Sequence, residues 1–595
     1  MVVKGYRTGR DVLRALLLVT VVTVVFAAGA GTASAQVSSC ADDITTSGLH
    51  TVDNDITNST ASSCIDINAS DVILEGNGNT IDGDNQTAGS IGINVTASSG
   101  TISNVTVRDV EVTNWGTGGL FDGVSDGSLT NNTVESSGDR GIYITNSSNV
   151  VINGTGTNVS GSGSEGIQLH RTNDSIVRDV TVTDNTATGI DVGVDPSNSA
   201  SNVTVDGVTA TNNRIGVYVE RVTDSEVLNS TVSLNDNGGV TISRTSGGVV
   251  SSNIVDDNSN GNGVTVRISD DVVVDDNSIN QNENGVDVFE ASRVRARNNI
   301  ISNTDANGIR VRSNSDNVVL TNNTIEDSAD GIILDSSSDN NDLLDNDLLS
   351  NDDDGLDVFD SDGNEVRRNN ASSNAGVGMR FDDSTNNVVA NNTVTSNSVH
   401  GIRLGIVTNH DVIGNDVRSN NPDGILVDQS NGVLLRDNEV IDNDESGIHL
   451  DASNGSTVTG NEANRNSDSG FYVGSSSSNN DFIDNTARNN VDSDFGIGNS
   501  PNNIVESLNI GSSTAPETTL DFTGNNVSLG GESMPPADPP NEQNIGRYVD
   551  ATNTSASGSF LDITFQYTDS DVSGVDESAL DVWRNSTTWT ELGGT

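Results

Sequence analysis

Twenty-four residues near the middle of the chain, Asn341 to Asn364, read NDLLDNDLLSNDDDGLDVFDSDGN and hold nine aspartates and no base. Carboxylates at this density are hard oxygen ligands of the kind calcium takes, and Asp352, Asp353, Asp354, Asp357, Asp360 and Asp362 are the candidates. No EF-hand loop or nonapeptide calcium repeat accompanies them, so acidity shared with the whole chain is the competing reading, and calcium is the one cofactor expected, if any. Copper would want imidazole, thiolate or thioether. The five histidines, His50, His170, His400, His410 and His449, are scattered, as are Met379 and Met534. Carboxylate catalysis needs a positioned pair, and the candidates are Asp305, in Asn303-Thr304-Asp305, and Asp327. Lys4 is the only lysine, so a lysine base is excluded from everything beyond the first residues.

Such residues act only if something rigid aligns them, and the chain has a period that could. Gly401-Ile402-Arg403-Leu404 returns as Gly424-Ile425-Leu426-Val427, Gly447-Ile448-His449-Leu450 and Gly470-Phe471-Tyr472-Val473. The phrase can be followed from Gly92 to a degraded form at Gly496, mostly at intervals of 22 to 24 residues. Two further short apolar alternations follow each glycine, the last led by asparagine: Asn253, Asn277, Asn299, Asn323, Asn346, Asn370, Asn392, Asn415, Asn438, Asn461 and Asn485. Leucine-rich repeats of this length need a leucine frame and a helical segment, and helical repeats are longer. Three short strands in about 23 residues describe one turn of a right-handed parallel β-helix, about 18 coils and roughly 85 Å long at 4.8 Å per coil. Inward Ile, Val and Leu would fill a narrow core with little room for rings. Asparagines at one turn would form a ladder, and glycine would suit a corner needing an unusual backbone angle.

In Gly-Ile-x-Leu the second and fourth residues face inward, so the third faces out. Read coil by coil, that position gives one stripe from Tyr143 to Tyr472. It includes Asp287 beside Arg310, Asp357 beside Arg380, then Arg403, His449 and Tyr472. Stacked opposite charges and hydroxyls on a long flat face suit a polysaccharide strand; they equally suit ordinary pairing between coils on a solvated face.

Composition narrows the function classes. The net charge is −58, from 85 acidic and 27 basic residues, and only 3% of residues are aromatic. That field excludes nonspecific association with nucleic acid or anionic lipid and fits a halophilic protein whose self-repulsion is screened by concentrated salt. Residues 1–35 read as a signal peptide: Lys4, Arg7, Arg10 and Arg14 precede the apolar run Ala15 to Ala28, and Ala33-Ser34-Ala35 offers a cleavage site. No later run is long enough to span a bilayer. Cys40 and Cys64 lie one repeat apart and, on an exported chain, are expected to form a disulfide. Sequons such as Asn94-Val95-Thr96, Asn202-Val203-Thr204 and Asn553-Thr554-Ser555 could carry glycans.

The stretch SCADDITTSGLHTVDNDITNSTASSCIDINASDVILEGNGNTIDG, Ser39 to Gly83, resembles the opening of secreted haloarchaeal right-handed β-helix repeat proteins. These form the NosD-like, carbohydrate-binding and sugar-hydrolase (pectate-lyase-like) group. The Gly-Ile-x-Leu … Asn-x-Val … Asn repeats resemble the same group as far as Ile510. The Asn303–Asp305 triplet resembles a first polygalacturonase motif, but the stacked Asp-Asp, Gly-His-Gly and Arg-Ile-Lys motifs that follow it there are missing. The resemblance therefore implies a secreted or cell-surface rod with a glycan partner and a non-catalytic binding, structural or adhesive role. The alternative is a polysaccharide hydrolase, lyase or epimerase. The expected organisation is an N-terminal cap and first coils at 36–90, repeats at 91–510, a Pro-rich linker at 511–543 around MPPADPP, and at 544–595 a segment resembling a small, incomplete β-sandwich.

Overall fold

A computed structural model describes residues 35–593 apart from 85–86, 98–99, 197, 199, 259, 513–516, 533, 540–541 and 587. Nearly all of the expected signal peptide lies outside the described residues. Among those described, no helix is long and apolar enough to cross a membrane.

The chain winds into a parallel β-solenoid, and among the described residues its elements are all strands apart from one short 3₁₀ turn. One coil serves for all: Ile402–Gly405 is its first strand, Asp411–Ile413 its second and Asp416–Arg418 its third. Ile402, Leu404, Val412 and Val417 point inward and are fully buried. Each coil repeats the last in register, so Ile402 lies over Ile425, Val412 over Leu435 and Val417 over Val440. Like residues therefore stack on like, and branched aliphatic side chains form one continuous core from Val37 to Leu529. Rings do enter it: Phe471, Phe482, Phe495 and Phe522 pack against one another at 4.9 to 6.1 Å near the C-terminal end.

The leading glycines serve close approach rather than an unusual backbone angle. A Cβ on Gly401 would lie 2.5 Å from the Gly424 carbonyl oxygen and 2.6 Å from Val417. The left-handed angles fall instead at the turns between strands: in this coil on Ile406 and Asn409 after the first strand, Gly414 after the second and Ser419 after the third.

The asparagine ladder follows immediately after the left-handed residue between second and third strands. Asn415 Oδ1 accepts from the Asn392 backbone N–H and side-chain amide, at 2.9 and 3.0 Å, while its own amide donates to Val389 O and Asn438 Oδ1. The member in the coil before Asn392 is Asn369, not Asn370, which lies in the third strand with its amide on Asp347. A second ladder, Asn351, Asn374, Asn397, Asn420, Asn443 and Asn466, lines the turn after the third strand.

Both ends depart from the repeat. Ala35–Val37 pairs with Gly48–Val52, and a Cys40–Cys64 disulfide joins the first coil to the next. At the other end the expected linker contributes strands instead. Thr518–Asn525 and Val527–Gly530 pair antiparallel with Ile504–Gly511 and Ser493–Ile497. Phe560–Gln566 and Asp550–Asn553 then add antiparallel to those two strands. Asp550–Asn553 and Phe560–Gln566 thus extend the solenoid's own sheets, their reversed direction ends the parallel stack, and Trp583–Asn585 and Trp589–Glu591 pair with each other as a separate hairpin.

Candidate functional site

The outward column of the first strands is in register along the rod: Asp287 lies beside Arg310, Asp357 beside Arg380, Arg380 beside Arg403, and His449 beside Tyr472. The ion pairs on it are diagonal, which the sequence pattern did not anticipate. Asp287 is almost fully buried under Arg312, whose Nε and Nη2 reach it at 2.8 and 3.0 Å while its guanidinium lies 4.4 Å over the Phe289 ring. Arg310 turns to Asp335, at 2.8 and 3.0 Å. Arginine is long and leans along the strand, so it reaches the carboxylate two positions from its direct neighbour.

Arg380, Asp382 and Arg403 form a connected set. Asp382 accepts from Arg403 Nη1 at 2.7 and 2.9 Å and from Arg380 Nε at 2.5 Å. Asp357 lies 4.0 Å from Arg380, at the edge of ion-pair range. Burial pushes the Asp357 carboxyl up to about 7, with Arg380 pulling down and Asp354, Asp330 and Asp382 adding to the rise. Burial likewise raises Asp354 to about 6, opposed by the hydrogen bond from the Val377 N–H.

Asp330, Asp353 and Asp354 bring their carboxylates within 4.8 Å of one another, the one group of three possible metal-ligating residues that close among the described residues. Two of the six aspartates proposed for calcium thus come together, with Asp330 of the previous coil added. Asp362 is committed elsewhere, accepting from the Thr385 N–H at 2.7 Å in a different turn. Asp352 is exposed in the same turn as Asp353 and Asp354 but is not one of the three that close, and Asp360 is exposed in a different turn. Asp305 and Asp327 are exposed in the turns between third and first strands, and neither has a side-chain hydrogen bond or ion pair among the described residues.

The histidines are less scattered than their spacing implied. His400 precedes Gly401, Asp423 precedes Gly424, and His449 stands one coil beyond. Asp423 Oδ2 lies 3.6 Å from His400 Nδ1 and 3.3 Å from His449 Nδ1, and its side chain is nearly inaccessible. The Tyr472 ring meets His449 edge-on at 5.0 Å. Burial holds the His400 pKa below the usual histidine value despite Asp423, with Arg403 adding to the effect. Burial would also depress His449, but the Asp423 hydrogen bond and charge outweigh it and leave that pKa raised. A second cluster occupies the other end of the stripe. Tyr143 Oη lies 3.4 Å from His170 Nδ1, His170 Nε2 3.6 Å from Asp195, and Gln168 donates to Asp191 at 2.7 Å. A His or Asp ahead of the leading glycine was the signal available for Asp354, His400 and Asp423.

Copper does not fit these residues. Both cysteines are in the disulfide, Met379 is in the core, and His410 is buried and bonded to Asn387 and Thr408. His400 and His449 flank a carboxylate rather than converge on a common point.

Residues 44–192, 153–300 and 283–405 match the family model described as right handed beta helix region. These matches span more than half of the chain, which therefore belongs to the right-handed β-helix family. Residues 376–506 also match the model for periplasmic copper-binding protein (NosD). No curated protein matches in sequence. Among solved structures, the periplasmic alginate epimerase AlgG is similar at 15% identity and a TM-score of 0.36, over 54% of this chain and 77% of that one. The A-module of Azotobacter vinelandii mannuronan C-5 epimerase AlgE4 gives 14% and 0.27, over 56% and 86%. DFA-IIIase from Arthrobacter chlorophenolicus A6 gives 11% and 0.30, over 58% and 82%. These are distant likenesses, and no residue role passes from them to this chain.

Proposed function

We propose that the protein is an exported rod that binds a polysaccharide strand along its first-strand face. The observation that supports this reading is the in-register outward column, with the Tyr143–His170 cluster toward one end and the His449–Tyr472 cluster toward the other. Between them, arginine–carboxylate forks leave both donors and acceptors at the surface, which is what the hydroxyls of a sugar chain require, and the rings offer apolar faces to pyranose C–H groups. Because its arginines already have carboxylate partners, the face favours hydroxyl recognition over simple attraction of polyanions. A calcium ion held by Asp330, Asp353 and Asp354 would add a point of attachment for a sugar carboxylate. The leader-like residues 1–35 support a location outside the cytoplasm. The test is a glycan array and equilibrium binding in molar salt. Arg380→Ala and Arg403→Ala should each weaken binding at least tenfold, and unchanged affinity in both would discard the reading.

A second reading, that of a polysaccharide hydrolase, lyase or epimerase, is favoured by one arrangement. Asp423 Oδ2 faces His449 Nδ1, so in the neutral ring the proton sits on Nδ1 and Nε2 is the free base, while the raised pKa supplies the protonated, acid form as pH falls, with the Tyr472 ring alongside. Turnover of any polysaccharide that disappears in His449→Ala while binding persists would establish this reading; absence of turnover across uronic and neutral polymers would remove it.

A further inference from the structure

Four sequons share one position in the coil. Asn131-Asn132-Thr133, Asn229-Ser230-Thr231, Asn322-Asn323-Thr324 and Asn391-Asn392-Thr393 all occupy the turn between second and third strands. In each, the first asparagine is exposed in a left-handed conformation, with φ between 48° and 56°. The middle residue is buried at the position of the asparagine ladder. The threonine opens the third strand: Thr133, Thr231, Thr324 and Thr393. The four threonines belong to one in-register column. Successive third strands place four coils between Thr133 and Thr231, four between Thr231 and Thr324, and three between Thr324 and Thr393. At about 4.8 Å per coil, the asparagines stand roughly 19, 19 and 14 Å apart along one edge of the rod.

We propose that this edge is N-glycosylated at Asn131, Asn229, Asn322 and Asn391. The turn meets the requirements of the modification physically. The asparagine is exposed at the rod's edge, its backbone angle suits asparagine without strain, and the residue two further on carries an outward hydroxyl. Asn229 Nδ2 donates to Asp206 at 2.8 Å, and the substituted amide keeps one N–H for that bond. Asn94, by contrast, lies within a first strand with its amide on Asp66 at 2.6 Å, on the stripe itself.

In the transfer, Nδ2 attacks the anomeric carbon of a lipid-phosphate-linked oligosaccharide, with the exporting cell's oligosaccharyltransferase as catalyst. The C–N bond forms, the anomeric C–O bond breaks, the amide loses one proton, and the lipid phosphate leaves with the bonding pair. The second strand on one side and the third on the other separate this edge from the first-strand face. Glycans would therefore coat the far edge and leave the candidate binding face bare. The inference requires export and is independent of what the face binds.

The test is peptide mass spectrometry on the chain recovered from its native host, reading the N-terminus in the same digest. The expected result is a glycan mass on all four asparagines and none on Asn94. Thr231→Ala should remove the glycan from Asn229 alone, whereas Thr231→Ser should retain it. Four unmodified asparagines on a chain lacking residues 1–35 would overturn the proposal directly. The same result on a chain that keeps those residues would overturn its export premise, and the proposal with it.

Discussion

His449 Nδ1 lies 3.3 Å from Asp423 Oδ2, and that contact decides which ring nitrogen is left for a ligand. It also sets the charge of the imidazole. Burial lowers the His449 pKa, and the Asp423 interaction more than restores it. Asp423→Asn keeps the shape and removes the charge, so the His449 titration should move below its wild-type midpoint. The measurement is an NMR titration of the imidazole C–H resonances. A midpoint unchanged by Asp423→Asn would mean that the two groups are not coupled in solution.

His410 should make the rod sensitive to acid. The ring is fully buried where neighbouring coils carry Asn364 and Asn387, and its pKa is lowered from 6.5 to about 4, chiefly by burial. The folded state therefore holds this histidine neutral while the unfolded state binds a proton below 6.5. Its stabilising contribution is complete above pH 6.5 and is lost as pH falls toward 4, on the order of 3 kcal/mol in all. His410→Asn restores the residue type of the preceding coils and should flatten the fall in Tm between pH 7 and pH 4.5.

Asp357 should act with the opposite sign. Its carboxyl titrates near 7 in the fold against 3.8 in the unfolded chain, so the folded state binds the extra proton. The stabilisation is complete below pH 3.8 and declines as pH rises through 7. Asp357→Asn removes that penalty. Its Tm advantage over wild type should be largest at pH 8 and should shrink toward pH 5. Arg380 then loses one of its carboxylate neighbours and retains Asp382.

Legibility in the sequence followed the stacking rule. Any property that repeats at the coil period, such as the glycine lead, the inward pair and the asparagine, was readable because the fold superimposes equivalent residues. Interactions off that period were not. Asp287 was assigned to Arg310 because they are neighbours in register, but side-chain length sends Arg310 to Asp335 and brings Arg312 to Asp287. His400 and Asp423 are one coil apart, each just ahead of a leading glycine, so that pair repeats at the period; His449, three residues off the period from Asp423, does not. The ladder was misassigned at Asn369-Asn370 because two adjacent asparagines give the pattern no way to choose. The strands at 518–530 were read as linker, and those beyond 544 as a separate sandwich, for a related reason: an antiparallel closure breaks the repeat that made the rest visible.

Gly405 offers a test of the Asp382 bridge that leaves both charges in place. Its φ is not in the left-handed region, yet a Cβ there would fall 2.0 Å from Asp382 Oδ1 and 3.1 Å from the Arg403 guanidinium. Gly405→Ala should therefore displace Asp382 and separate it from Arg403 while the coil persists. If the first-strand face binds glycan through this set, Gly405→Ala should weaken binding in the same direction as Arg403→Ala, with far-UV circular dichroism unchanged. Full binding by Gly405→Ala would show that the bridge does not organise the face.

The asparagine ladder predicts a contrast between residues of one type. Asn415→Ala removes the acceptor of the Asn392 N–H and the donor to Val389 O, both in the buried turn. Leaving buried polar groups unpaired costs roughly 1–3 kcal/mol each, so this substitution should cost about 3 kcal/mol or more. Asn370→Ala breaks half-buried contacts to Asp347 and from the Ser372 hydroxyl, both open to replacement by water, and should cost less than about 1 kcal/mol. Coils contact only their neighbours, so the loss at Asn415 should also be local. Amide exchange should accelerate in the flanking coils, roughly residues 389–440, and remain slow near Val177 and Val205. Uniform acceleration along the whole rod would instead mean that the coils unfold as a single unit and that the ladder is not a local fastening.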